Sequence, residues 1–424
     1  MDMRLDHPEL LGTFEGSAAS RLRWWCGLCL SLWLLLLALD WAARVRMFRW
    51  QDQWLPEKSR SAASSPAERT YQMRTVPGRM GGGLARMVPV QQVAARYEEY
   101  LPEHVQPVDP WGYANAPIGE DGYYPVVMLG DSFMVSLGTQ TLAQALADIS
   151  GVPVYNHGRQ RTGPFQEMEK FILSDRFAPL PRVVIWNLLG RELGAPLFLR
   201  QPVEAWFAGM DIWAHARERP VRTHVRWDRL SADALRRDWP DSSILAFAGR
   251  RIWAQARMVG FREWPPDVLG VEDPEFGPML FYRENLRVLP SLTAGTNAQA
   301  IIRVISRLSQ GFQERGMTLV VLLVPEREQM YLRALPPEEQ AGLMHGSELM
   351  EEIESRLTRE GTPVVNLMPI FRNATEQGRR LYWRDDTHWN DAGIRLAAEE
   401  IWKVVEPLLG EKSGDRGDPR SEVR

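Results

Sequence analysis

The stretch YPVVMLGDSF, residues 124–133, decides the fold. Its first part is apolar and β-branched, Gly130 closes it, and a helical pattern begins at about Thr139. A strand, a tight turn and a helix in this order lift a side chain out of the carboxyl end of a parallel sheet, where open α/β folds bind their ligands. Ser132 is therefore a candidate nucleophile. In the competing interpretation, Asp131 and Ser132 only turn the chain and cap the next helix.

A second stretch, YWRDDTHWN at residues 382–390, supplies what a serine nucleophile needs. A serine hydroxyl is a weak nucleophile until a base takes its proton, and a carboxylate must orient that base. Asp386 and His388 offer these two groups. Because the residues after Asn390 repeat at helical spacing, the pair is expected on a loop ahead of a C-terminal helix. The two stretches together predict a catalytic triad of Ser132, His388 and Asp386.

These two stretches resemble the SGNH or GDSL hydrolase superfamily. More narrowly, they look like the membrane-associated branch that includes the alginate O-acetylation proteins AlgJ and AlgX. Residues 324–331 (VPEREQMY) fit that branch too, since its members often carry a Pro-Asp-Lys stretch followed by a tyrosine. There are two departures: the Asp-x-His motif follows the GDS motif instead of preceding it, and Arg327 replaces the usual lysine. The resemblance covers roughly residues 108–409.

The resemblance implies a three-layer α/β/α fold with a parallel sheet of SGNH, flavodoxin-like type. It also implies an oxyanion hole formed by the N–H groups of Ser132 and of a glycine that ends the second strand. Gly158 matches this glycine best, and Gly163 is the second choice. The alternative for Gly158 is that it only makes the turn.

The third block of the superfamily normally reads Gly-x-Asn-Asp, with the asparagine as a further oxyanion donor. Here it reads GREL at residues 190–193, so the donor must differ. An arginine can bind a developing oxyanion or the carboxylate of an acidic sugar, which makes Arg191 the candidate. The alternative is that Arg191 only pairs with Glu192 at the rim.

The rest of the chain predicts alternating helices and strands, and hence a parallel sheet covered on both faces. Helices are predicted at about 139–149, 165–173, 338–359 and from 297, and strands at 152–157, 182–189, 318–324 and 362–367. Residues 194–296 interrupt the alternation and are predicted to be a mostly helical insertion. Its aromatic residues either fill a subdomain core or line a glycan groove. These are Trp206, Phe207, Trp213, Trp227, Trp239, Trp253, Trp264, Phe276, Phe281 and Tyr282.

The N-terminal part of the chain differs in composition from the rest. Residues 24–39 are uninterrupted by charge, and Asp40 and residues 41–43 follow. With tryptophans at both ends, residues 24–43 are predicted to be an uncleaved transmembrane anchor rather than a cleaved signal peptide. A polar segment, 1–23, precedes it. Residues 44–107 are predicted to be a linker and a short helix, because residues 57–88 are rich in Ser, Ala, Pro, Arg and Gly. A catalytic domain, 108–409, and a disordered tail, 410–424, follow.

Charge and cysteine content narrow the function classes. The formal net charge of -4 gives no indication of nucleic-acid binding. Both cysteines, Cys26 and Cys29, lie inside the apolar run, so no disulfide framework is expected. No cofactor is expected, and no metal either, because no ligand set shows the usual spacing.

The resemblance favours a membrane-anchored O-acetyltransferase that modifies an extracellular polysaccharide through an acyl-enzyme. It implies a single-pass protein of the inner membrane with its catalytic domain in the periplasm. It also implies a membrane-bound O-acyltransferase partner that supplies acetyl groups. An SGNH carbohydrate esterase and a non-catalytic glycan-binding scaffold are the alternatives.

Overall fold

The computed structural model of the chain describes residues 23–39, 72–76, 79–80, 82–117, 122–135, 138–159, 163–172, 174, 176–194, 249, 252–292 and 296–410. The chain divides into two compact units, residues 1–60 with 223–253 and residues 61–222 with 254–424. In the first unit, residues 23–39 form helix α1. Across the described ranges, no helix is both long and apolar enough to cross a membrane. The tail beyond Gly410 lies outside these ranges.

The second unit begins with a folded lead segment where the sequence predicts a linker. Strand β1 (Gln72–Val76) pairs antiparallel with β4 (His104–Val108), and β2 (Arg79–Met80) pairs with β3 (Tyr100–Leu101). Between them lie a short 3-10 turn, Ala85–Met87, and helix α2 (Gln91–Ala94). Leu84, Ala85, Val88, Ala94 and Tyr97 are buried here in a small cluster with Val268 and Leu280. The linker prediction is therefore wrong for this part, because its few apolar residues pack against the domain.

The remaining elements follow in chain order. They are β5 (Val126–Gly130), α3 (Leu142–Ser150), β6 (Val154–Gly158), α4 (Pro164–Ile172), β7 (Val183–Leu189), the 3-10 turn Gly190–Leu193, the π-helical turn Arg257–Phe261, β8 (Val268–Asp273), β9 (Gly277–Tyr282), α5 (Arg283–Val288), the 3-10 turn Leu289–Ser291, α6 (Thr296–Gln313), β10 (Thr318–Val324), α7 (Arg327–Met330), the 3-10 turn Leu332–Ala334, α8 (Pro337–Gln340), α9 (His345–Arg359), β11 (Val364–Asn366), α10 (Leu367–Glu376) and α11 (Asp391–Gly410).

The core is a five-stranded sheet in the order β11-β10-β7-β5-β6, parallel throughout. Helices α3, α10 and α11 pack on one face, and α4, α6 and α9 pack on the other. Because both faces are covered, strands such as β10 are apolar along nearly their whole length. The order is that of a flavodoxin-like doubly wound sheet, as the resemblance implies.

Two stretches differ from the predicted elements. The predicted helix 338–359 is divided into α8 and α9, because Gly342 adopts a positive φ of 75° between them. The predicted insertion is not mostly helical in the part that the structure describes. Strands β8 and β9 form an antiparallel hairpin there, and residues 195–248 lie outside the described ranges.

Candidate active site

Ser132 lies at the carboxyl edge of the sheet, directly after β5. The neighbouring strand β7 ends at Leu189, so the crevice between β5 and β7 opens beside Ser132. In a sheet of this order, the point at which successive connections leave in opposite directions is the usual ligand site. The sheet topology therefore brings Ser132 to the position that the sequence predicts.

A chain of three side chains runs from Ser132 through His388 to Asp386. The Ser132 Oγ lies 2.8 Å from His388 Nε2, and His388 Nδ1 lies 2.6 Å from Asp386 Oδ1. The His388 side chain is 16 % exposed and that of Asp386 is 9 % exposed. Both distances are those of strong hydrogen bonds, with the carboxylate on the ring nitrogen opposite to the serine. The geometry matches a nucleophile, a base and the group that orients the base.

Aromatic packing fixes the imidazole between the two stretches. The ring of Phe133 lies 4.6 Å from the His388 ring, centroid to centroid. Trp389 Nε1 donates to the carbonyl oxygen of Phe133 at 3.2 Å, which joins the residue after the nucleophile to the residue after the base. Tyr382 and Trp389 also form a β-bridge. The GDS turn and the histidine loop are thus packed as one unit.

Backbone amides of the lead segment hold the aspartate loop. Gly83 N–H donates to Asp386 Oδ2 at 2.7 Å, and Gly82 N–H donates to Asp385 Oδ2 at 2.6 Å. The sequence did not indicate these donors, because a glycine-rich stretch shows no side-chain pattern. Residues 82 and 83 are therefore part of the site's surroundings and not of a linker.

Arg327 supports the same loop from inside the protein. Its side chain is fully buried, and its guanidinium donates to the carbonyl oxygens of Asp386 at 2.8 Å and Arg384 at 2.9 Å. It also lies 4.7 Å from the Phe281 ring centroid. The residue that departs from the usual lysine is thus a buried support for the aspartate and not a surface charge.

Gly158, the predicted oxyanion donor, does not offer a free N–H. Its N–H donates to Asn156 Oδ1 at 3.0 Å, and Asn156 Nδ2 in turn donates to the carbonyl oxygen of Met134. A Cβ at Gly158 would meet the Met134 side chain at 2.1 Å. The glycine therefore makes room for the turn after Ser132, which is the structural role. Gly163 lies just beyond residues 160–162, which the structure does not describe.

Arg191 lies beside the GDS turn but does not pair with Glu192. Its guanidinium donates to Glu326 Oε2 at 2.8 Å, lies 3.9 Å from Asp131 Oδ2, and stands 5.8 Å from the Phe133 ring centroid. Burial alone would lower the pKa of the Arg191 guanidinium. The nearby carboxyls of Glu326, Glu192 and Asp131 raise it by more than burial lowers it, so this pKa lies above its ordinary value. Arg191 is a firmly charged group at the carboxyl edge of β7.

Glu192 is turned back into the protein. Its Oε2 accepts the N–H of Leu189 at 3.0 Å. Burial, and next the charge of Asp131, raise the pKa of the Glu192 carboxyl well above its usual range. The Glu192 carboxyl thus accepts from the Leu189 backbone, whereas Arg191 forms its close ion pair with Glu326.

On the far side of β5, His157 lies in a buried polar pocket and not at the nucleophile. Its Nδ1 lies 3.2 Å from Glu167 Oε2, and Lys170 Nζ lies 2.6 Å from Glu167 Oε1. Burial lowers the pKa of His157. Burial raises the pKa of Glu167, but His157 and Lys170 lower it more, to about 2. This cluster supports the end of β6 rather than the chemistry.

The aromatic residues of the insertion that the structure describes are largely structural. Phe281 is fully buried, Trp264 packs edge-on against Tyr97 at 5.7 Å, and Phe276 packs edge-on against Tyr331 at 5.4 Å. Trp253, by contrast, is 62 % exposed. Trp206, Phe207, Trp213, Trp227 and Trp239 lie outside the described residues.

A family described as "SGNH hydrolase-like domain, acetyltransferase AlgX" matches residues 55–189 and 279–420. The two matched segments contain Gly83, Ser132, Arg327, Asp386 and His388. The gap between the segments falls on the predicted insertion.

Individual relatives show the same similarity. The chain is 26% identical over 172 residues to the "Probable alginate O-acetylase AlgJ" of Pseudomonas fluorescens. The match covers 38% of this chain and 40% of that protein. It is 28% identical over 145 residues to the "Alginate biosynthesis protein AlgX" of Pseudomonas putida, covering 33% and 28% of the two chains. The chain thus spans about two fifths or less of the length of these curated relatives.

Solved structures with a similar arrangement include two acetyl xylan esterases. AlAXEase is 13% identical with a TM-score of 0.33, and the match covers 66% of this chain and 98% of that one. Est2A of Butyrivibrio proteoclasticus is 10% identical with a TM-score of 0.25, covering 74% and 69%.

Proposed function

The chain belongs to the AlgX family of SGNH hydrolase-like acetyltransferase domains, and from that premise we propose that it is a membrane-anchored O-acetyltransferase acting on an extracellular polysaccharide. The observation that carries the proposal is the continuous hydrogen-bonded chain from Ser132 Oγ through His388 to Asp386. A protein that only binds glycan has no need of all three groups in this register. The names of the AlgJ and AlgX relatives support acetyl transfer in polysaccharide synthesis.

The proposed reaction has two half-steps. In the first, His388 Nε2 takes the proton of Ser132 Oγ while that oxygen attacks the acetyl carbonyl, and the resulting imidazolium gives its proton to the leaving group of the donor. In the second, a glycan hydroxyl gives its proton to His388 and attacks the acetyl-serine ester. Ser132 Oγ then leaves and recovers its proton. Asp386 stays ionised and stabilises the imidazolium in both half-steps.

The oxyanion of each tetrahedral intermediate requires donors near Ser132. Among the described residues, the Ser132 N–H has no hydrogen-bond acceptor, which leaves it available for the oxyanion. The Gly158 N–H is bonded to Asn156, so we assign the second contribution to the charge of Arg191 across the β5–β7 crevice. Preorganised donors of this kind contribute roughly a hundredfold or more to such reactions.

The test is acetyl transfer by the full chain in detergent, with p-nitrophenyl acetate as donor and a panel of neutral and uronate oligosaccharides as acceptors. Wild type is compared with Ser132→Ala and with Ser355→Ala, a control at an exposed serine on α9. We expect Ser132→Ala to lose at least about a thousandfold in acetyl release while the control is unaffected. Mass spectrometry then decides between transfer and hydrolysis. An acceptor that gains an acetyl group supports the transferase, whereas release to water alone indicates the esterase. Equal inertness of wild type and Ser132→Ala indicates the scaffold.

Membrane anchorage and a periplasmic catalytic domain are part of the proposal. The charge-free run at residues 24–39 supports them, and so does the exposure of large apolar side chains such as Trp24 and Leu39 on α1. A membrane-bound O-acyltransferase partner would deliver acetyl groups from the other side of the bilayer. Since the chain's only cysteines are Cys26 and Cys29, a Ser355→Cys variant adds a single thiol to the catalytic domain. A membrane-impermeant maleimide should label it in intact spheroplasts. Labelling only after lysis contradicts the periplasmic placement.

A further inference from the structure

Three successive backbone amides of the lead segment converge on two successive aspartates of the histidine loop. The Gly82 N–H donates to Asp385 Oδ2 at 2.6 Å, and the Gly83 N–H donates to Asp386 Oδ2 at 2.7 Å. The Leu84 N–H donates to the Asp385 carbonyl oxygen at 3.1 Å. The two glycines lie 303 positions before their aspartate partners in the sequence, so these contacts are tertiary and not a feature of the local turn.

The contact with Gly83 completes the coordination of the aspartate that orients the base. Asp386 Oδ1 faces His388 Nδ1 at 2.6 Å, and Oδ2 faces the Gly83 N–H. With both oxygens held, the carboxylate cannot rotate away from the imidazole. The Asp386 side chain is buried, so water competes little with these charge-assisted bonds.

The same segment is fastened at a second point. Asp385 Oδ2 also accepts the Glu99 N–H at 2.9 Å, and Glu99 Oε2 accepts the Arg384 N–H at 2.7 Å. Residues 82–84 and Glu99 therefore hold the backbone of the aspartate loop at two points, which sets where Gly83 meets Asp386.

We propose that Gly83 is a positioning residue of the Ser132 site, acting through its backbone N–H on Asp386 and through Asp386 on His388. The inference rests on the triad of the proposed function and adds a part of the chain that composition identifies as linker. A donor to the charged form of a carboxylate stabilises that form. Without the Gly83 N–H, the Asp386–His388 pair binds a proton more tightly, and the protonated pair cannot act as the base. Groups that orient a catalytic side chain in this way typically contribute about tenfold to a hundredfold.

Proline is the variant that tests the proposal, because it removes the amide hydrogen and its ring Cδ takes the place of that hydrogen against Asp386 Oδ2, so both the bond and the close approach are lost. Gly83→Pro is compared with Gly83→Ala, which keeps the N–H and whose Cβ meets Asp386 Oδ2 at an ordinary 3.4 Å. The matched proline control is Gln91→Pro, at the exposed first residue of α2, where a proline is tolerated. The extended backbone of Val90 suits a following proline. Full-length proteins in detergent are assayed with p-nitrophenyl acetate from pH 5 to 9, alongside their melting temperatures and Ser132→Ala.

We expect Gly83→Pro to lose about thirtyfold in kcat with little change in KM, and the acid limb of its kcat/KM profile to move to higher pH. Gly83→Ala should lose at most about threefold and keep the wild-type profile. If the Gly83 contact only stabilised the fold, Gly83→Pro would lower the melting temperature without moving the acid limb of the kcat/KM profile.

A second pair of variants applies if Gly83→Pro does not fold. Asp385→Ala removes the acceptor of the Gly82 and Glu99 amides, whereas Asp385→Asn keeps an acceptor oxygen. The proposal expects about a tenfold loss of kcat for the alanine variant and recovery in the asparagine variant. Wild-type kcat and pH profile in Gly83→Pro, or wild-type kcat in Asp385→Ala where the proline variant does not fold, overturn the inference alone when Ser132→Ala is inactive. An active Ser132→Ala overturns the proposed function and the inference with it.

Discussion

The two sides of Ser132 differ in how completely they are assembled. On the base side, Asp386 and His388 already form hydrogen bonds of 2.6 and 2.8 Å that reach the serine oxygen. On the oxyanion side, the Gly158 N–H is bonded to Asn156, and the Arg191 guanidinium is bonded to Glu326. The base is therefore preorganised, whereas Gly158 and Arg191 are engaged with other parts of the protein and the oxyanion side keeps the Ser132 N–H as its available donor.

This difference indicates that substrate binding has more to rearrange on the oxyanion side than on the base side. The base side draws its rigidity from three distant segments, the lead segment at Gly83, Arg327 on α7, and the aromatic contact at Phe133. The oxyanion side rests on buried carboxyls that keep Arg191 charged. Variants on the base side should therefore lower turnover, and those on the oxyanion side should report on the charge that develops during the reaction.

The largest expected effect is that of removing the base. His388→Ala leaves Ser132 without a proton acceptor, so we expect a loss of at least about ten-thousandfold in kcat. Because the side chain is part-buried against Phe133, a melting temperature close to wild type is needed to assign the loss to chemistry. The measurement is single-turnover acetylation of Ser132 followed by mass spectrometry. Detectable acetyl-Ser132 at the wild-type rate in His388→Ala would break the assignment of the base side.

The next effect is on the oxyanion side. Arg191→Ala should lower kcat by about a hundredfold if its charge acts in the transition state, with Arg191→Lys retaining part of it. Comparing neutral and uronate acceptors separates this role from binding of an acidic sugar, which would raise KM for the uronate acceptor alone. If Arg191→Ala keeps the wild-type kcat and KM for both acceptors, Arg191 has no role in the site. The Ser132 N–H is then the remaining donor assigned to the oxyanion.

The sequence predicted the parts of the site that consist of side chains next to regular elements. Ser132 follows a buried strand, and Asp386 and His388 precede a helix, so pattern and spacing were sufficient to bring them to one sheet edge. The predicted strand Thr318–Val324 has the same bounds in the structure, because a short, nearly continuous apolar run is typical of a parallel strand covered on both faces. Their catalytic roles stay predictions.

What the sequence could not show is which backbone groups are already engaged. The Gly158 N–H looked free because nothing in the sequence reveals that the Asn156 side chain folds back onto it. The Gly82 and Gly83 amides looked irrelevant because glycine-rich composition is the signature of a linker. Helix α10 was missed because it begins directly at the end of β11, with Asn366 as its cap. Each case depends on tertiary contact rather than on local pattern.

A smaller effect is expected from the buried support of the base side. Arg327→Met removes one donor from the carbonyl oxygen of Asp386 and one from that of Arg384, which keeps the Leu280 N–H at 2.8 Å, so we expect a loss of about 1–3 kcal/mol in total in the free energy of unfolding. The loosened loop should lower kcat about tenfold. Arg327→Lys should recover much of both, since an ammonium can donate to two carbonyls. If the methionine variant melts earlier but turns over normally, Arg327 stabilises the fold without positioning Asp386.

The last prediction concerns the two buried carboxyls that flank the sheet edge. For these we expect the smallest effect on activity and the clearest effect on stability. Glu167, on the β6 side, has its pKa lowered to about 2 by His157 and Lys170 against the effect of burial. Glu192, on the β7 side, has its pKa raised by burial and by Asp131. A lowered pKa adds stability that is present above the usual carboxyl range and lost as the pH falls toward 2. A raised pKa adds stability that is fully present below the usual carboxyl range and is lost as the pH rises through the folded-state pKa.

Glutamine at each position should therefore change the slope of stability against pH in opposite ways. The shift at Glu167, from 4.5 to about 2, corresponds to about 3 kcal/mol. Glu167→Gln should lose stability at pH 7 and show a flatter decline between pH 5 and 2 than wild type. Glu192→Gln should become more stable relative to wild type as the pH rises above 5, because it never has to hold a buried charge near Asp131. Urea unfolding at a series of pH values measures both slopes. Parallel slopes for wild type and Glu192→Gln would mean that Glu192 is ionised in the folded protein. The oxyanion side would then carry more negative charge around Arg191 than the burial of Glu192 implies.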